Sequence, residues 1–131
     1  MLRIIQEVIK DIIRISQEEL PNEACGYLAG KDGTITHCYP LTNVDQSPEH
    51  FSFDPQEQFS VLKEVRENDL ELIANFHSHP ASPARPSQED IRLAFDPNII
   101  YGIVSLQEQT EVLKFFSIVK NEVNPIAYSV I

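Results

Sequence analysis

Two histidines one residue apart, His77 and His79, followed by Asp90 beyond a proline-rich stretch, are the residues of this chain best suited to hold a metal ion. They stand in Asn75-Phe76-His77-Ser78-His79-Pro80 and in Ser87-Gln88-Glu89-Asp90. Side chains alternate along a strand, so two histidines separated by one residue at a strand end point to the same side and can reach one ion. Imidazole nitrogen and carboxylate oxygen both bind zinc, at about 2.0–2.2 Å, and three protein ligands leave a fourth position for water, as in catalytic zinc centres. One zinc ion with a bound water is therefore the expected cofactor. Such a water needs a base to move its proton. Glu23, in Pro21-Asn22-Glu23-Ala24-Cys25-Gly26, is the candidate, with Gly26 allowing close backbone approach. The Ser87 hydroxyl could donate to the oxyanion formed when water attacks a carbonyl, a contribution worth about 3–4 kcal/mol in other enzymes.

The elements that must position these residues can be read from periodicity. Ile5, Val8, Ile9, Ile12, Ile13 and Ile15 recur at helical intervals among charged residues, and Pro21 ends that helix. Residues 25–29 and 34–39 are short β-prone runs around Gly30, Lys31, Asp32 and Gly33, which predicts a hairpin with Glu23 at its entrance. Residues 41–53 read as a loop ending in a short extended piece. Asp54, Pro55 and Glu57 mark a helix start, with Asp54 as cap and Glu57 at the capping-box position. Leu70, Leu72, Ile73, Ala74 and Phe76 form a nearly continuous apolar run, expected of a strand covered on both faces, which delivers His77 and His79 at its C-terminal end. That is where sites collect in α/β folds. Three prolines rule out a helix or central strand over 80–86; Ser87 then opens a short helix with Asp90 at the capping-box position. Residues 99–106 and 112–119 read as strands, with 127–131 as a final one.

At 131 residues the chain is expected to form a single domain, 1–131, able to bury its own core. Its 42% hydrophobic and 23% charged residues lie in the ordinary globular range. A net charge of −10 without a basic cluster argues against nucleic acid or anionic lipid as partners. With no secretory signal and no apolar run near the roughly 18 residues of a membrane span, the expected compartment is the cytoplasm. There Cys25 and Cys38 are reduced thiols. Cys25 reads as a buried small residue rather than a nucleophile, and His37 and His50 are assigned no role.

The motif residues resemble the JAMM, or MPN-plus, metallopeptidases. Their pattern is an upstream Glu, then H-x-H, seven residues, and S-x-x-D; here Glu23, His77, His79, the segment 80–86, Ser87 and Asp90 fill every position. The resemblance implies His77, His79 and Asp90 as zinc ligands, Glu23 as general acid/base and Ser87 as stabiliser of the tetrahedral intermediate. It further implies a cytidine-deaminase-like α/β sandwich, a mixed central sheet flanked by about three helices. It points to a peptidase or isopeptidase acting at the C-terminal tail of a ubiquitin-like or sulfur-carrier protein. No insertion is long enough to form the extra segments with which eukaryotic deubiquitinases grip ubiquitin chains, so the short form resembles the prokaryotic branch. The alternative is a non-catalytic MPN-type scaffold, which should lack ligands; none is missing. A zinc deaminase would need H-x-E and P-C-x-x-C, and neither is present.

Overall fold

In the computed structural model, which describes residues 1–131, the amphipathic segment forms helix α1, Gln6–Glu18, with Val8, Ile12 and Ser16 buried. Before it lies strand β1, Leu2–Ile4, too short for its alternation to stand apart from the helical periodicity that follows. Strands β2, Cys25–Lys31, and β3, Thr34–Leu41, pair antiparallel. Between them Asp32 and Gly33 both take positive φ, 51° and 76°, as a two-residue I′ turn requires. Gly30 lies not in the turn but in β2, at a register shift; a Cβ there would come within 1.7 Å of the Thr34 carbonyl oxygen.

Helix α2, Pro55–Glu67, begins as expected, with the Asp54 carboxylate accepting from the Gln56 N–H. Glu57 does not complete a capping box. Its two oxygens accept instead from the Thr42 amide and hydroxyl, both at 2.8 Å, tying α2 to the end of the hairpin. Strand β4, Glu71–His79, helix α3, Gln88–Arg92, and strands β5, Ile100–Ser105, and β6, Val112–Val119, follow. The chain ends in β7, Glu122–Ile126, and β8, Tyr128–Val130. The β6–β7 turn again places two residues, Lys120 and Asn121, at positive φ.

All eight strands form one mixed sheet in the order β7-β6-β5-β4-β2-β3-β1-β8, and with three helices this is the expected α/β architecture. β7 and β8 occupy opposite edges, yet only Ala127 separates them in sequence. The sheet must therefore curve until the end of β7 meets the start of β8, with the last ten residues running from one edge to the other. No pairing joins β7 to β8, so both remain edges of the sheet.

Alternation sorts the sheet's residues into two layers. Leu28, Ile35, Ala74, Phe76, Val104 and Phe115 join Val8 and Ile12 of α1 in the main core. Cys25, Tyr27, Leu41 and Ile99 face the other way, with Val61 and Leu62 of α2 packed against them. The β2–β4 register slips between Leu28 and Ala29 so that Ile73 has no partner. That extra residue lets Leu72 join the α2 layer while Ala74 and Phe76 keep to the α1 layer, and it explains why the run reads as nearly continuously apolar. No helix is long and apolar enough to cross a membrane. Ile12 is wholly buried. Ile12→Ala is expected to cost about 2–5 kcal/mol, read as a lower urea midpoint at unchanged slope; a loss below about 1 kcal/mol would mean that α1 is not integral to the core.

Candidate metal centre

His77 and His79 end β4 on the face opposite Phe76 and Ser78, as alternation requires. Ser78 anchors this end of the strand: its hydroxyl accepts from the Ala24 N–H at 2.7 Å, and its own N–H donates to the Ala24 carbonyl at 3.0 Å. Asp90 arrives from α3 through a complete capping box. The Ser87 hydroxyl oxygen accepts from the Asp90 N–H at 3.0 Å, and Asp90 Oδ2 accepts from the Ser87 N–H at 2.9 Å. The cap thus aims the carboxylate. His77 Nε2, His79 Nε2 and Asp90 Oδ2 form a triangle with every side 3.1 Å.

The loop after β4 is fastened from three directions. The Ser105 hydroxyl donates to the Ser82 carbonyl at 2.6 Å, Ala84 is buried with Ile103 and Phe116, and Pro83 offers its carbonyl to His79. That last contact decides a tautomer. A carbonyl can only accept, so His79 Nδ1 donates at 2.8 Å and Nε2 of the neutral ring keeps its lone pair for the triangle. On the other side the Phe51 ring stacks on His77, centroids 4.7 Å apart and planes at 27°.

A metal ion fits this donor set. Ligand atoms about 2.0–2.1 Å from a tetrahedral zinc lie about 3.3 Å from one another, close to the triangle found. Three electron-rich atoms converging this closely cannot satisfy one another with a single proton, whereas a cation among them satisfies all three. His77, His79 and Asp90 can therefore hold a metal ion. Burial disfavours the Asp90 carboxylate, but the neighbouring His77 and His79 rings and the Ser87 N–H overcome it and hold Asp90 well below the usual carboxylate range. Burial likewise disfavours charge on His79, yet the Asp90 hydrogen bond and the Pro83 carbonyl raise its pKa overall.

Glu23 comes to the same place from the neighbouring strand. Cys25 pairs with His77 and Ala24 with Ser78, so continuing the register sets Glu23 against His79. It is 4% exposed, and its Oε1 has no hydrogen-bond partner. Burial is the main cause that pushes its carboxyl up to about 8; His79 opposes the shift, while Asp90, Glu89 and Glu49 add to it. Beside His77 and Asp90 opens a cavity of about 520 Å³ with Phe51, Phe53, Leu62, Leu93 and Tyr101 among its walls, and Phe95 at 81% exposure on its rim. Ser87 is exposed, and because its oxygen already accepts, its hydroxyl hydrogen remains free to donate. The Cys25 thiol donates to the Leu41 carbonyl, and burial pushes it up to about 12, as suits a packed residue rather than a nucleophile.

Glu23 links the stability of the fold to pH. The folded chain holds its proton up to about pH 8, whereas the unfolded chain releases it near the ordinary value of 4.5, so rising pH costs stability across that window. In metal-free protein, Glu23→Gln is expected to be more stable than wild type by about 1–3 kcal/mol above pH 8, with the gap closing toward pH 4.5. Thermal unfolding of both proteins across the window checks this; a gap independent of pH would contradict the buried, unpaired carboxylate.

The family model for prokaryotic homologs of the JAB domain matches residues 6–119, a span that includes Glu23, His77, His79, Ser87 and Asp90. The chain is similar to CysO-cysteine peptidase of Mycobacterium tuberculosis, 32% identical over 104 residues that cover 78% of this chain and 71% of that protein. It is also similar to a probable TtuB-protein conjugate cleaving protease of Thermus thermophilus, 38% identical over 87 residues, 64% of this chain and 58% of that one. The solution structure of protein DSY2949 from Desulfitobacterium hafniense superposes with a TM-score of 0.92 at 46% identity, covering 100% of this chain and 93% of the other. Because the family match runs from the start of α1 to the end of β6, the chain belongs to the prokaryotic homologs of the JAB domain.

Proposed function

We propose that this protein hydrolyses a peptide or isopeptide bond at the C-terminal tail of a ubiquitin-like or sulfur-carrier protein, with one zinc ion held by His77, His79 and Asp90. The observation that carries the reading is the convergence of two imidazole nitrogens and a carboxylate oxygen, 3.1 Å apart, beside a buried carboxylate without a partner. Relatives named for peptidase action on CysO-cysteine and for cleavage of TtuB–protein conjugates supply the substrate class. Zinc, when bound, supplies Lewis acidity that polarises a carbonyl and brings water toward ionisation near neutral pH.

The rest falls to the chain's own groups. Glu23 Oε1 takes a proton from the attacking water and returns it to the leaving nitrogen; a carboxylate raised by burial shuttles protons better near neutrality than one at its ordinary pKa. Ser87, with its hydroxyl hydrogen free, donates to the oxygen on which negative charge develops. The cavity beside His77 gives the substrate tail an apolar seat next to the reacting bond, which holds it in register for attack. Two free thiols suit action in the cytoplasm. The scaffold reading is disfavoured because the chain carries every residue type the proposed chemistry needs, at Glu23, His77, His79, Ser87 and Asp90.

Glu23→Gln is expected to lower kcat by about 10²–10⁴-fold while the protein keeps its zinc. The measurement is turnover of small ubiquitin-like carriers bearing C-terminal extensions, followed by mass spectrometry. Full activity of the variant would remove Glu23 from the mechanism. A wild type inert on every such carrier would remove the substrate class.

A further inference from the structure

Glu23 has a positional problem. Its Oε1 meets no donor, so no hydrogen bond to that atom fixes the side chain, and its carboxylate depends for its place on packing and on its main chain. That main chain lies outside the regular elements: α1 ends at Glu18 and β2 begins at Cys25. Both polar groups of the Glu23 backbone are taken up by the loop over residues 43–53. The N–H donates to the Ser47 carbonyl at 2.9 Å, and the carbonyl accepts from Asn43 Nδ2 at 3.0 Å.

Asn43 is 5% exposed and uses its whole amide. Besides Glu23, Nδ2 donates to the His50 carbonyl at 3.1 Å and lies 3.5 Å from the Ser47 carbonyl. Oδ1 accepts from the Asp45 N–H at 3.0 Å and the Ser52 N–H at 3.3 Å. The His50 and Ser52 contacts flank Phe51, whose ring lies on His77. One side chain therefore grips the backbone of Glu23 and the backbone on both sides of the residue that braces a candidate ligand.

We infer that Asn43 is a positioning residue: from the 43–53 loop it holds Glu23 and, through Phe51, the His77 ring in working alignment. The inference rests on the proposed function. Only an amide of this length supplies two donors and an acceptor at once. Aspartate keeps the acceptor and loses both donors, alanine loses everything, and neither removes a ligand. Misplacement of a catalytic group by about an ångström is enough to slow a reaction by about 100-fold.

The test compares Asn43→Asp and Asn43→Ala with a control, Asp45→Ala. The control removes a brace inside the same loop, where Asp45 Oδ2 accepts from the Ser52 hydroxyl and lies 3.2 Å from His50 Nδ1, but it leaves the Asn43–Glu23 bond in place. Zinc-loaded proteins are examined by amide hydrogen exchange and by kinetics on a carrier that the wild type cleaves. Both Asn43 variants are expected to exchange the Glu23 amide at least about 10-fold faster, while the β2 amides of Leu28 and Ala29 keep their protection. Their kcat should fall about 10- to 100-fold with KM within about threefold and zinc content unchanged. Asp45→Ala should keep kcat within about threefold of wild type.

Unchanged Glu23 protection overturns the inference, as does a kcat that survives the loss of protection or a rise in KM at constant kcat. If alanine leaves too little folded protein, the aspartate variant, which keeps the loop's two amide contacts to Oδ1, decides alone. If the wild type cleaves no carrier, the proposed function falls. Exchange at Glu23 then still shows whether Asn43 holds it.

Discussion

Antiparallel pairing of β2 with β4 sets Cys25 against His77 and, by continuation, Glu23 against His79, joining a carboxylate to two imidazoles more than fifty residues away. Everything chemical in this molecule depends on that register. A one-residue slip would turn His77 and His79 toward the α1 core and bring Phe76 and Ser78 to the site face. The register is held by burial: Leu28, Ala74 and Phe76 can enter the core with α1 in only one alignment. Ser78 and Ala24 lock the last pair where the strands would otherwise fray.

The site runs against the rules that govern the remainder of the fold. Buried polar groups ordinarily find partners, yet Glu23 Oε1, His77 Nδ1 and Oδ1 of Asn75, which lines the neighbouring cavity, have none, and three electron-rich atoms crowd within 3.1 Å. Such an arrangement costs the metal-free chain stability, which the core packed between α1 and the sheet offsets. The surroundings are correspondingly stiff: a capping box aims Asp90, the Pro83 carbonyl selects the His79 tautomer, and Phe51 covers His77. Rigid placement of this kind suits a reaction in which geometry and electrostatics do most of the catalytic work.

Much of this was legible in the residues, and for local reasons. A two-residue spacing at a strand end, a Ser-x-x-Asp cap and an Asp-Gly turn each act within a few positions, so the His77–His79 pair, the α3 start and the β2–β3 hairpin could be read directly. What was not legible depends on distant partners. Glu57 sits where a capping box would use it, but Thr42 offers it two donors. β7 carries Asn124 and Pro125, turn-like residues tolerated because the strand lies at a sheet edge, and β1 is three residues long. Asn43 gives no sign in sequence that its amide reaches back twenty residues to Glu23. Ser78, hidden between the histidines, reads as a spacer until the Ala24 bonds are seen.

The proposed chemistry requires a metal ion among two imidazole nitrogens and one carboxylate oxygen. X-ray absorption at the zinc edge, on protein loaded with one equivalent, tests it most directly. About four nitrogen or oxygen neighbours at about 2.0–2.1 Å are expected, with the outer scattering of two imidazoles. Sulfur at about 2.3 Å would mean that a cysteine holds the ion, and failure to retain zinc at all would mean that the triangle is not a metal site.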